Sequence, residues 1–172
     1  MGTKSIRKSL LLGVTVTVGL VMAAGGCAVY VVMKRSSLNQ FDHALVEHAE
    51  LVEASLLWAD GRVKYEGGAY KVNEENEEFD VFEAWMAEGG EVVAKSPALK
   101  GDSLQRPVGV GSEPVFLEIR APWGAPMRAV TMSFLPAAED PAEGPVPESM
   151  RVEMIVAHAL DELEDSLGLL RL

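Results

Sequence analysis

From Leu10 to Met33 the chain runs for 24 residues without a charge, as "LLLGVTVTVGLVMAAGGCAVYVVM". At about 1.5 Å per residue, a helix of that length exceeds the roughly 30 Å hydrocarbon core of a bilayer. The stretch predicts a transmembrane helix over residues 10–33 with some tilt, preceded by a short N-terminus of residues 1–9. Setting this segment aside leaves room for one domain of ordinary size.

Charges flank the span unevenly. Lys4, Arg7, Lys8 and the terminal amine precede it, Lys34 and Arg35 close it, and the next cation is Arg62. The positive-inside bias favours a cytoplasmic N-terminus. The expected location is therefore the inner (cytoplasmic) membrane, crossed once, with the following domain extracytoplasmic. All 26 acids follow residue 35 together with only 10 of the 15 cations, so residues 36–172 carry a formal charge of −16. A domain that acidic is not drawn to nucleic acid or anionic headgroups; divalent cations, cationic peptides or polyamines are its electrostatic partners.

Cys27 is the only cysteine and lies inside the apolar stretch, so the exposed domain has no disulfide or thiol chemistry. "AAGGC" is also a loose lipoprotein cleavage box, which would make Cys27 a lipidation site. Two features oppose that. Six apolar or aromatic residues follow Cys27 before the first charge, and the position three before it is Ala24 rather than leucine.

After the span a helix is expected over residues 34–58. Leu38, Phe41, Leu45 and Val52 follow spacings of three, four and seven and share one face, with His48 and Ser55 completing the stripe. That face is either a homodimer seam or a surface packed on the following domain. In a parallel dimer His48 would meet its own copy, where protonation near neutral pH is disfavoured.

From Asp60 the apolar period changes to two, and residues 59–157 read as an antiparallel domain. "RVKYE" and "AYKVN" around Gly67 and Gly68 suggest one hairpin, "FDVFEAWM" and "EVVAKS" a second, and "VFLEIR" and "MRAVTMSF" across "APWGAP" a third. Residues 136–149, with four prolines, are expected to be an irregular loop. Met150, Val152, Met154 and Val156 alternate as a strand, and residues 158–172 regain a leucine-spaced helical period as an exit helix. Strands bracketed by helices give an α+β class with a central antiparallel sheet, of which a PAS-like fold is the best-known example.

Chemistry is sparse. His43, His48 and His158 form no metal-binding spacing, and "GVGS" at 109–112 lacks both a hydrolase glycine pattern and a P-loop lysine. No enzymatic activity or resident cofactor is expected. The acidic run "EENEEFD" contributes Glu74, Glu75, Glu77, Glu78 and Asp80. Crowded carboxylates favour capture of a divalent or trivalent cation such as Ca²⁺, Mg²⁺ or Fe³⁺, although a solvated loop has the same composition.

"SLNQFDHALVEHAELVEA" resembles the segment just outside the first membrane span of bacterial two-component sensor histidine kinases. "FDVFEAWMAEGGEVVAKSPAL", "APWGAPMRAVTMSFLP" and "MRVEMIVAHALDELEDSLGLLRL" are similar, in order, to later strands and the exit helix of that sensory region. Each piece is unspecific and the order carries the likeness, over roughly residues 4–172. The acidic run resembles the E-x-x-E sites of some cation-sensing kinases, twice overlapping, as Glu74 to Glu77 and Glu75 to Glu78.

The resemblance implies a sensory, membrane-anchoring region that receives an unidentified extracytoplasmic signal. In such receptors a ligand-dependent helix shift crosses the membrane, and a homodimer joins the helices into a bundle. A complete kinase would continue into a second span, a phosphoacceptor helix and an ATP-binding domain, and would reach a response regulator only through them. "HALDELEDSL" lacks the arginine and proline expected after a phosphoacceptor histidine, so this stretch should not phosphorylate itself. The alternative is a stand-alone membrane-anchored or lipidated envelope binding protein.

Overall fold

The computed structural model describes residues 3–67 and 80–160. Helix α1 (Thr3–Ala54) is followed by strands β1 (Leu56–Ala59), β2 (Arg62–Tyr65), β3 (Asp80–Met86), β4 (Val92–Lys95), β5 (Val115–Arg120), β6 (Pro126–Phe134), β7 (Ala137–Ala138) and β8 (Val152–Ala159). Short 3₁₀ turns lie at Pro97–Leu99, Pro141–Glu143 and Glu148–Met150. The chain divides into two compact units, Met1–Gln40 and Phe41–Leu172.

In the first unit every residue from Leu10 to Met33 is exposed, and the helix is long and apolar enough to cross a membrane, with a mean hydropathy of 2.1 over its most apolar window. The two threonines in this stretch turn their hydroxyls onto their own helix. Thr15 Oγ1 donates to the Leu11 carbonyl and Thr17 Oγ1 to the Gly13 carbonyl, both at 2.9 Å. Hydroxyls satisfied this way can enter hydrocarbon without an orphaned donor.

The second unit is built on a five-stranded antiparallel sheet in the order β4-β3-β8-β6-β5. Numbered within the sheet alone, that order is 2-1-5-4-3, and the fold class is α+β with a central antiparallel sheet, as expected. Strand β8 is central, paired along its length with β3 on one side and β6 on the other. Its period of two sends Val152, Met154 and Val156 to one face and Ile155 and Ala157 to the other. Both faces are covered, so nearly all of β8 is buried. On the first face lie Leu45, Ala49 and Val52 of α1, all at 0% exposure, together with Phe82, Ala84 and Val130. On the second, Leu99, Leu104 and Ala121 cap Val81, Trp85, Met127 and Ala129. A smaller sheet, in the order β2-β1-β7, completes the unit.

Several boundaries differ from the sequence expectation. The helix ends at Ala54 rather than residue 58, because Ser55 closes the last turn, its Oγ donating to the Leu51 carbonyl at 2.8 Å. The apolar "LLWA" that follows has a period compatible with helix, yet pairs as β1 with β2. The turn between them is Asp60–Gly61, both in the left-handed region with φ of 53° and 75°. That is the geometry of a two-residue hairpin loop. Strand β2 pairs with β1; "AYKVN", its expected hairpin partner, lies outside the described residues. The second and third expected hairpins are present as β3–β4 and β5–β6. The loop at 136–149 contains one short strand, β7, parallel to β1. Finally, β8 extends through Ala159, so His158 is a strand residue and not the start of a helix; residues 161–172, where the exit helix was expected, lie outside the described residues.

Candidate functional site

The stretch of α1 from Phe41 to Val52 carries two kinds of side chain toward the sheet. Leu45, Ala49 and Val52 supply the apolar ridge. Asp42 and His48 each reach a side chain on a strand.

Asp42 meets Arg128 of β6 in a two-pronged ion pair, Arg128 Nε donating to Oδ1 at 2.9 Å and Nη2 to Oδ2 at 3.0 Å. Both side chains are 20% exposed, and the guanidinium also lies over the Phe116 ring at 5.6 Å. Hydrogen bonding to the Asp42 carboxylate holds the Arg128 pKa above its ordinary value, against the opposite effect of burial.

His48 Nδ1 lies 2.6 Å from Nε2 of His158 on β8. The ring centroids are 4.6 Å apart, and Phe41 presents an edge to His158 at 5.8 Å. A contact this short between two ring nitrogens requires one to donate its proton and the other to accept, so at least one nitrogen of the pair must be unprotonated. Burial first, and the nearby His48 charge second, push the His158 pKa down from 6.5 to about 4. Arg128 and His158 are register partners between β6 and β8. The two contacts of α1 are therefore side by side on neighbouring strands.

A second polar system fastens the opposite face. Glu83 on β3 is fully buried and accepts from Ser103 Oγ at 3.0 Å and from the Leu104 amide at 2.6 Å. Arg106 pairs with Glu153 of β8 at 2.8 Å and donates to the Met86 and Ala87 carbonyls. These bonds hold the segment after β4 across the sheet. Beside it, Arg106 to Val108, Leu117 to Arg120 and Leu160 border a groove of about 710 Å³.

The residues anticipated from sequence are distributed unevenly around these features. Of the stripe proposed as a dimer seam, Leu45 and Val52 are fully buried and Phe41 is packed against the same core, all within this chain. They are a packing face and not a seam, because the sheet already removes their apolar surface from water. Leu38 is half-buried in the first unit, and Cys27 is exposed. His48 has a histidine partner, but from its own chain. Glu74, Glu75, Glu77 and Glu78 lie outside the described residues. Asp80 opens β3 opposite His158 in the β3–β8 register. Among the described residues no group of three or more His, Cys, Asp or Glu is arranged to hold a metal ion.

Asp42, Arg128, Glu83, Arg106 and Glu153 were not singled out from sequence. Their partners are 86 and 110 residues apart for the α1 contacts, a separation over which local pattern carries no signal. Glu83 left a weak trace, as an acid inside the otherwise apolar "FDVFEAWM".

No curated protein and no solved structure matches the chain. A family model, the N-terminal region of two-component sensor kinases, matches residues 18–166. That match runs from within the apolar stretch through β8 and covers the antiparallel sheet with both of its polar fastenings. The chain belongs to the two-component sensor kinase N-terminal family.

Proposed function

We propose that this chain is the membrane-anchored, extracytoplasmic sensory region of a two-component histidine kinase, and that its output is a change in how α1 sits on the sheet. The family supports the sensory role. The observation that carries the mechanism is that α1 is a single helix from Thr3 to Ala54, whose Phe41–Val52 stretch is at once part of the core and joined to the strands through Asp42–Arg128 and His48–His158. A change in either contact alters the free energy of one helix position relative to another, which is what a transmitted signal requires. The groove beside Arg106 and Arg120 is where a small ligand has room to bias the same sheet from its other face. The response regulator is reached through a kinase core.

The test is phosphotransfer from a kinase core joined to this chain through a second membrane span. Asp42→Ala and Arg128→Ala should each shift basal output several-fold in the same direction. Glu148→Ala, which removes an exposed pair with Arg151, should leave it unchanged. Equal output from all three variants and the parent would overturn the reading.

A further inference from the structure

We propose that the contact between His48 on α1 and His158 on β8 is an acid-released latch, closed while one of the two facing nitrogens is unprotonated and opened by the second proton. The inference deepens the helix-on-sheet reading above and rests on it for its consequence, though not for its chemistry.

His48 Nδ1 and His158 Nε2 are 2.6 Å apart. In the neutral pair one imidazole donates and the other accepts. A first proton can be taken up without loss of the bond, since an imidazolium still donates to a neutral ring. A second proton turns both facing nitrogens into donors and leaves two cations with centroids 4.6 Å apart. The contact cannot survive that state, and the rings must part.

Charged groups stand around the pair on each neighbouring element. On α1, Asp42 is committed to Arg128 in a two-pronged pair, and His43 is exposed. From β6, Arg128 stands opposite His158 in register and is itself a cation. From β5, Glu118 acts on Arg128. From β3, Asp80 is opposite His158 in register. Phe41 adds an apolar edge to His158. Burial and the His48 charge keep the His158 proton off until about pH 4, so the latch is closed at neutrality and yields as the medium becomes acidic. The parts it joins are the helix that continues into the apolar stretch and the central strand of the sheet. Release would thus loosen the hold of that helix on the sheet.

The experiment uses the whole chain in lipid nanodiscs. Imidazole nitrogens are followed by NMR from pH 7.5 to 4, with exposed His43 as the internal reference. In parallel, spin labels at Glu47 and Lys95, in a Cys27→Ser background, report the distance between α1 and the sheet. His158 is expected to take up its proton well below the ordinary imidazole value of 6.5, and the label distance to lengthen and broaden as it does so. His158→Phe, which cannot be protonated, and His48→Gln, which carries no charge, should each hold that distance constant over the same range. Should one histidine variant fail to fold, the other is read. Titration of His158 at the ordinary imidazole value of 6.5, or lengthening that persists in the folded variants, overturns the proposal. Neither readout involves kinase output, so a failed latch leaves the helix-on-sheet reading standing, and a working latch with silent phosphotransfer would sink only that reading.

Discussion

His158 makes the stability of the domain depend on pH, and the sign follows from which state binds the proton more readily. In the folded chain its pKa is about 4 against an ordinary 6.5, so between those values the unfolded chain carries more protons. Stability from this group is therefore complete above about pH 6.5, falls as the medium is acidified, and stops falling once pH passes below the folded value. A displacement of that size corresponds to on the order of 3 kcal/mol across the window. Buried Trp85 provides a fluorescence signal for urea unfolding. Between pH 6.5 and 5, above most carboxylate titration, the parent is expected to lose stability on acidification while His158→Phe holds nearly level. Parallel slopes for the two proteins would remove His158 as the cause.

At the scale of elements, α1 shows what a sequence can and cannot disclose. The spacing of Phe41, Leu45 and Val52 marks an apolar face, and the structure bears that out with Leu45 and Val52 fully buried. What covers the face is not encoded locally, since a second copy and a sheet more than thirty residues away present the same kind of surface to it. Leu45→Ala distinguishes them. Removal of a fully buried leucine from the domain's own core should cost about 2 to 5 kcal/mol in unfolding free energy, with no change in association measured by sedimentation. A loss of association at unchanged unfolding free energy would restore the seam. Strands β3 to β6 and β8 were legible because their residues alternate between two covered faces, and the glycine-containing turns between them are local. Strand β1 was not, because "LLWA" continues the helical stripe, even though Asp60–Gly61 is a two-residue hairpin signal immediately after it. The polar contacts of α1 were invisible for a different reason: Asp42 and His48 read as ordinary helix residues until the fold brings Arg128 and His158 to them.

For the whole molecule the governing fact is the segregation of charge, with five cations and no acid through Arg35, and 26 acids against ten cations after it. An apolar helical stretch between two such regions costs little to insert, and returning it to water would expose apolar side chains along its full length. The chain should therefore remain in the membrane pellet after an alkaline wash, and protease added to spheroplasts should digest the domain while sparing the N-terminus. Cys27→Ala is the decisive variant. Lipid attachment would proceed by cleavage before Cys27, leaving the acyl chains as the anchor and discarding the helix that precedes it. On that route the substitution would block processing, and the mature wild-type protein would lack residues 1–26. On the spanning route the variant and the parent fractionate alike, both retain Met1 through Gly26 by mass spectrometry, and neither takes up a labelled fatty acid. The six apolar or aromatic residues that follow Cys27 before the first charge favour the second outcome. A chain cut at Cys27 could not carry the helix across the bilayer, and the contacts at Asp42 and His48 would then bias a domain with no lever through which to report.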